Sequence, residues 1–415
     1  MRKIKDSGVA WVGAMPEDWT VKRGKFTLKL LNRPVKDTDD VITCFRDGEV
    51  TLRTNRRTDG FTVSVKEIGY QGIEPGDLVI HGMDGFAGSI GISDSRGKSS
   101  PVLVVCDTDE SKRYIMYYLR SMAYNDVFTA LATGIRVRSC DLRWNKLAEF
   151  PYILPSLPEQ NQIVSAIESN TSKVDALIAN VQAQIEKLKA YKQSLITEVV
   201  TKGLDPNAPM KDSGVEWIGT IPASWKTIRV KQLLRERKER SVNGKEEPLS
   251  MSQKVGLVPT KMLDMIPNMA SSFVGAKLAY VDDLVFNKLK AHLGVFSVSK
   301  YDGLVSPDYA VYYSTGIIDL KYLEYLFKTP QCISEFRKRS TGIAAGLTRL
   351  YTDGLFAIEC PMPSKDEQAE IVLFLNEKCA QIDELMSLKQ TKIEKLEQYK
   401  RSLIYEYVTG KKEVS

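Results

Sequence analysis

Three groups of residues in the 415-residue sequence carry side chains that could do chemistry. The first is Pro307-Asp308 followed by Asp319-Leu320-Lys321. A nuclease of the PD-D/ExK type uses two carboxylates to hold a metal ion and a lysine beside the attacking water. Short patterns of this kind also arise by chance. The second is "GISDSRGKS" at 91–99, which looks like a phosphate-binding loop. Five residues, not four, separate Gly91 from Gly97, so its amides are out of step for a phosphate cradle and the stretch reads as a surface turn. The third group is basic. "TLRTNRRTDG" gathers Arg53, Asn55, Arg56 and Arg57, and "TGIRVRSCDLRW" adds Arg136, Arg138 and Arg143. "FNKLKAHLG" supplies Asn287, Lys288, Lys290 and His292, and the second half's counterpart of the "TGIRVRSCDLRW" loop carries Arg349. Arginine forks match guanine edges, asparagine matches adenine, and cations neutralise phosphate. These twelve are the candidate DNA-binding residues. A solvated turn would use the same residue types.

Composition narrows the classes. The hydrophobic share of 43% and the charged share of 27% are ordinary for a soluble globular protein. No apolar run approaches the ~20 residues needed to cross a bilayer, and no signal peptide is evident, so a cytoplasmic protein is expected. Cysteines at 44, 106, 140, 332, 360 and 379 form no CxxC pair and read as reduced thiols. With His81 and His292 the only histidines, a histidine metal centre is not expected, and no cofactor is assigned. A net charge of +6 permits a nucleic-acid partner without requiring one. "KTIRVKQLLRERKER" (226–240) reads as an amphipathic helix with a solvated or phosphate-facing side. Tyrosines 114, 117, 118, 322 and 325 fall at helical spacings in apolar runs and read as core rather than as base-stacking residues.

The elements that position these residues are written twice. "KDSGVAWVGAMPEDW" (5–19) returns as "KDSGVEWIGTIPASW" (211–225), with nine of fifteen positions identical. Residues 159–201 return at 367–409, with 19 of 43 identical. Between these blocks, 20–148 and 226–356 look unrelated apart from landmarks: "GDLV" at 76–79 and "DDLV" at 282–285, Gly88 and Gly294, and the "SP" and "TGI" pairs. Strand-like runs such as "PVLVVC" and helical runs such as "DLKYLEYLFKT" mix in both halves, which indicates α+β domains.

Each second block begins after a proline-rich stop and keeps a 4-3 apolar spacing. In the first copy the seam is Val174, Ile178, Val181, Ile185, Leu188, Lys192, Leu195 and Val199. In the second it is Ile382, Met386, Lys389, Ile393, Leu396, Lys400, Leu403 and Tyr407. A helix of 43 residues would be about 65 Å long and needs a partner along its seam. The obvious partner is the other copy. The expected organisation is a first variable domain (1–153), a spacer helix (154–205), a second variable domain (206–359) and a second spacer helix (360–415). Joining the last residues to the first would recreate the helix-to-domain linker, so the plan is circular with a pseudo-twofold.

In this duplicated setting, "KDSGVEWIGTIPASW", "LPSLPEQ", "FNKLKAHLG" and "SPDYAV" resemble the specificity subunit of type I restriction-modification systems, over essentially the whole chain. The resemblance implies two target-recognition domains joined by two long antiparallel coiled-coil helices. It also implies reading of a bipartite double-stranded DNA target for methyltransferase (M) and restriction (R) subunits. Two M subunits would bind faces related by the pseudo-twofold. No NPPY or DPPY tetrapeptide occurs, so methyl transfer is assigned to another subunit, and S-adenosylmethionine and ATP to the partners. Because the variable domains differ, the two half-sites should differ and lie roughly one helical turn (~34 Å) apart. The competing readings are a nuclease using Asp308, Asp319 and Lys321, and a coiled-coil scaffold that binds no DNA.

Overall fold

The computed structural model describes residues 2–56, 67–131, 142–253, 255–263, 273–344 and 347–414. The chain forms two compact units: residues 1–182 with 390–415, and residues 183–389. Each unit therefore contains one end of each long helix, Leu157–Lys202 and Lys365–Val408.

The two units are built alike. In the first, a four-stranded antiparallel sheet runs in the order Lys29–Leu30, Leu103–Asp107, Leu78–His81, Ile90–Ile92. In the second, the order Leu234–Glu236, Tyr309–Ser314, Leu284–Asn287, Phe296–Val298 repeats it. The central strands are the two "DLV" landmarks, and β-branched residues buried on both faces suit a sheet covered on each side. A short strand before each sheet, Thr20–Arg23 or Lys226–Arg229, pairs with the strand leading into a long helix, Pro151–Leu154 or Glu359–Met362. The repeated phrase forms a hairpin in both units, Ile4–Asp6 with Ala14–Pro16 and Met210–Asp212 with Thr220–Pro222.

Buried polar contacts repeat with the backbone. Trp19 donates its indole N–H to Glu159 at 3.2 Å, and Trp225 donates to Glu367 at 3.1 Å. Gln160 is fully buried and accepts from the Ser111 amide at 2.9 Å, while its own amide donates to the Pro155 carbonyl. Gln368 does the same with Asp319 and Pro363. The repeated "PSxxEQ" stop is thus a lock between helix start and domain. The hydroxyl of Tyr114 donates to the carbonyls of Ile153 and Val408, and that of Tyr322 to those of Pro361 and Val200. Each domain consequently holds the start of the helix that follows it and the end of the other one. Leu403, Ile404, Tyr407 and Val408 pack in the first unit's core, and Ile196, Val199 and Val200 in the second's.

The same junction brings the chain ends together inside the first unit. The Arg2 amide donates to Glu413 at 3.3 Å. Gly410, with φ +71°, lies so close to Pro16 and Trp19 that a Cβ would come within 2.3 Å of the proline ring. Gly203, with φ +78°, ends the first long helix against Trp225 in the second unit. A glycine suits both the left-handed helix stop and the tight approach.

Every residue of both seams is buried or half-buried. Lys400 bonds both carboxylate oxygens of Asp175 within the first unit, and Lys192 those of Asp383 within the second, all at 2.6–2.7 Å. Lys389 also reaches Gln184 in the second unit, so residue numbers rise on one helix as they fall on the other and the pairing is antiparallel. Lys192 and Lys400 are thus cross-helix ion-pair partners, and Lys389 a cross-helix hydrogen-bond donor.

Two sequence expectations fail here. Residues 226–240 are not one helix but strand Lys226–Arg229, a single turn Val230–Leu233, and strand Leu234–Glu236. Fully buried Val230, Leu233 and Leu234 pin the turn, while both flanks find strand partners, so pairing overrides helix propensity. "GISDSRGKS" links strands Ile90–Ile92 and Gly97–Ser99 and is less of a surface turn than expected. A Cβ on Gly91 would lie 1.9 Å from the Gly48 carbonyl oxygen and one on Gly97 2.5 Å from that of Asp40, so these glycines permit strand packing. Cys44, Cys106, Cys332, Cys360 and Cys379 are free and buried, and burial pushes the Cys44 and Cys106 thiols up to about 12. Cys140 lies outside the described residues. Among the described residues no helix is long and apolar enough to cross a membrane.

Candidate nucleic-acid interface

Among the described residues, the sequence candidates lie around one place in each unit, the C-terminal end of the central strand. In the first unit that strand ends at His81. Arg53 lies in a one-turn 3₁₀ segment, Arg53–Asn55, and its Nε donates to Thr43 at 3.4 Å. Arg56 stacks 4.2 Å over the Phe45 ring and pairs with Asp47 at 2.7 Å and Glu49 at 3.1 Å. Arg143 begins the turn Trp144–Glu149, beside Gly82. Asn55 is exposed, and its side-chain amide nitrogen donates to the Thr51 hydroxyl at 2.8 Å. Arg57, Arg136 and Arg138 lie outside the described residues.

A cleft of about 670 Å³ opens here, lined by Thr43, Phe45, Arg46, Arg56, His81 and Asp84 among others. Arg46, His81 and Asp84 were not sequence candidates. The signal available for His81 was its position: it ends the landmark strand, in register with Asn287.

In the second unit the strand Leu284–Asn287 ends at that asparagine. Its Oδ1 accepts from the Leu289 amide at 3.1 Å, much as the His81 ring accepts from the turn after its own strand. Lys288 follows, with Nζ 3.4 Å from the Pro307 carbonyl and its own carbonyl accepting from the Leu350 amide. That bond draws Arg349 in, and Arg349 pairs with Asp308 at 2.6 Å. Lys277, absent from the sequence candidates, donates to the Tyr309 carbonyl at 2.6 Å. Burial, and then the neighbouring Lys288 charge, lower its pKa. Lys290 and His292 occupy the turn beyond, His292 half-buried with no bond to its Nδ1. Asn287, Lys288, Lys290, His292 and Arg349 therefore share one strand end, although Arg349 lies far along the chain from the other four.

The nuclease pattern does not assemble. Asp319 is the N-cap of helix Leu320–Phe327, with Oδ1 accepting from the Lys321 amide at 2.7 Å. It occupies the place of Ser111, which precedes helix Lys112–Tyr124 in the first unit. Lys321 turns to Glu324 at 3.0 Å, and Asp308 is held by Arg349. Local capping and pairing thus account for all three residues of the pattern. Tyr114, Tyr118 and Tyr322 are fully buried, with Tyr117 and Tyr325 partly so.

No protein-family model matches the chain. The type I restriction enzyme MjaVIII specificity subunit of Methanocaldococcus jannaschii is 23% identical over 420 residues, which cover 96% of this chain and 93% of that one. A chain from a solved structure concerned with complex assembly and conformational transition of the type I R-M system superposes with a TM-score of 0.69 at 15% identity, covering 95% of this chain and 98% of its own. The HsdS subunit from Thermoanaerobacter tengcongensis gives a TM-score of 0.51 at 14% identity, with the same two coverages. Along nearly its whole length the chain is thus similar in sequence to a type I restriction enzyme specificity subunit, and its fold is shared with the HsdS subunit structure.

Proposed function

We propose that the chain reads an asymmetric, bipartite double-stranded DNA target and holds methyltransferase and restriction subunits around it, as a cytoplasmic component. One observation carries the reading: the same strand end in each unit presents a different polar set. His81 and Asp84 stand in the first unit where Asn287 and Lys290 stand in the second. One scaffold with two unlike faces suits two unlike half-sites. The basic residues at those ends supply phosphate contacts, and the variable groups supply discrimination.

The scaffolding role draws on the helices. Leu177 and Tyr399 are exposed in the first unit, and Leu385 and Tyr191 in the second. By the repeat these are the same two side chains, kept apolar in both copies, and they suit two equivalent docking positions for two methyltransferase subunits.

The test is co-expression with the cognate methyltransferase subunit and genome-wide mapping of adenine methylation. A single two-part asymmetric motif is expected, and replacing residues 20–148 with those of another specificity subunit should change only one part. A complex that forms without methylating any motif would sink DNA readout. Duplex binding that is absent even with partners, or that does not weaken with salt, would favour the scaffold that binds no DNA.

A further inference from the structure

The cleft at the end of strand Leu78–His81 is specialised beyond a general basic surface. The His81 Nδ1 accepts from the amides of Met83 at 3.3 Å and Asp84 at 2.9 Å. That nitrogen is therefore bare, and burial lowers the pKa of the ring, so the proton of the neutral imidazole sits on Nε2. Nε2 is 3.9 Å from Asp84 Oδ2, too far for a hydrogen bond, and remains available as a donor. Asp84 Oδ1 instead accepts from Arg46 Nη2 at 3.0 Å, which steadies the exposed guanidinium at the cleft. Asp47, the other carboxylate lining the cleft, is engaged by Arg56. The hydroxyl of Ser89, a residue with 1% exposure, also lines the cleft and has no hydrogen-bond partner.

We infer that this cleft reads guanine: Arg46 donates to O6 and N7 in the major groove, His81 Nε2–H is the adjacent donor, and Asp84 positions Arg46. The inference rests on the DNA-reading proposal above. Guanine presents two neighbouring acceptors in the major groove, whereas adenine sets an amino donor beside N7 and cytosine offers an amino donor, so a face of donors discriminates against both. The second unit lacks the set. Asn287 replaces His81 there, Lys290 replaces Asp84, and Gln253 turns its amide to the Leu293 carbonyl at 3.1 Å. The guanine assignment therefore belongs to the first half-site alone.

The experiment uses the full chain in complex with its methyltransferase subunit, with adenine methylation mapped for wild type, Arg46→Lys, Arg46→Ala and His81→Leu. Arg46→Lys keeps the charge and loses the fork, so a residue that only neutralised phosphate would tolerate it. The half-motif that moves when residues 20–148 are replaced should contain a G·C pair. Both Arg46 substitutions should relax that position by roughly 10- to 100-fold in discrimination and leave the other half-motif unchanged. His81→Leu should relax the same or the adjacent position. Arg46 is 68% exposed in its side chain, so its variants should fold, and a thermal melt of each complex checks this. A two-part motif that Arg46→Lys and Arg46→Ala leave unaltered overturns the guanine assignment alone. Failure of the wild-type complex to methylate any motif overturns it together with the DNA-reading proposal.

Discussion

Asp39 shows how single residues hold the variable domains in shape. Both oxygens of this buried carboxylate accept from the Arg96 guanidinium, at 2.9 and 2.8 Å, and Oδ2 also accepts from the Lys36 amide. The Arg96 bonds hold its pKa at about 2 against the opposing push of burial. A folded-state value below the ordinary 3.8 means that the unfolded chain binds the proton more readily. The stabilisation is therefore complete above about pH 4 and is lost as pH falls toward 2. Asp39→Asn should cost about 2 kcal/mol at pH 7 and almost nothing near pH 2, measured by urea denaturation across that range. An equal loss at both ends would show that packing, not charge, sets the role of this residue. Asp319 teaches the converse lesson. Its type and spacing allowed metal chemistry, yet its oxygen is committed to a helix cap.

At the scale of elements, the seam separates what burial contributes from what charge contributes. Ile393 is 4% exposed on the second long helix, and Ile393→Ala should destabilise by about 2–4 kcal/mol. The Lys192–Asp383 pair is partly exposed, so Lys192→Glu should cost only about 1 kcal/mol, with Asp383→Lys in the same chain restoring most of it. A double-mutant cycle from denaturation midpoints checks both figures; no recovery in the double variant would mean that the ion pair does not set the register. The long helices are legible because a heptad spacing sustained over this length has few alternatives. Residues 226–240 escape such reading because their apolar spacing is short and their strand partners, 309–314 and 359–362, lie far along the chain.

For the whole molecule, the exchange of helix ends has a consequence for connectivity. Arg2 meets Glu413, and the 203–209 linker joins the corresponding elements of the second half. A chain joined through its present ends and reopened within 203–209 should keep its secondary structure, shift its melting midpoint by only a few degrees, and retain the methylation motif of the complex. Such joins are tolerated where termini lie close together at a surface. An unfolded product would mean that the linker does more than connect.

The sequence by itself determined the duplicated plan, the two long helices and the α+β character of the variable domains, because periodic patterns are local and this chain writes each of them twice. It also singled out residues at both strand ends, Arg53, Arg56 and Arg143 in one half and Asn287, Lys288 and Arg349 in the other. Only the tertiary structure decided what those side chains touch. It bonded Asn55 to Thr51, set Arg56 on Phe45, and brought Arg46 and Asp84 to His81. Hydrogen bonds and ion pairs act over about 3–4 Å, and the residues that meet across that distance come from separate strands and turns, so their pairing is a property of the folded chain.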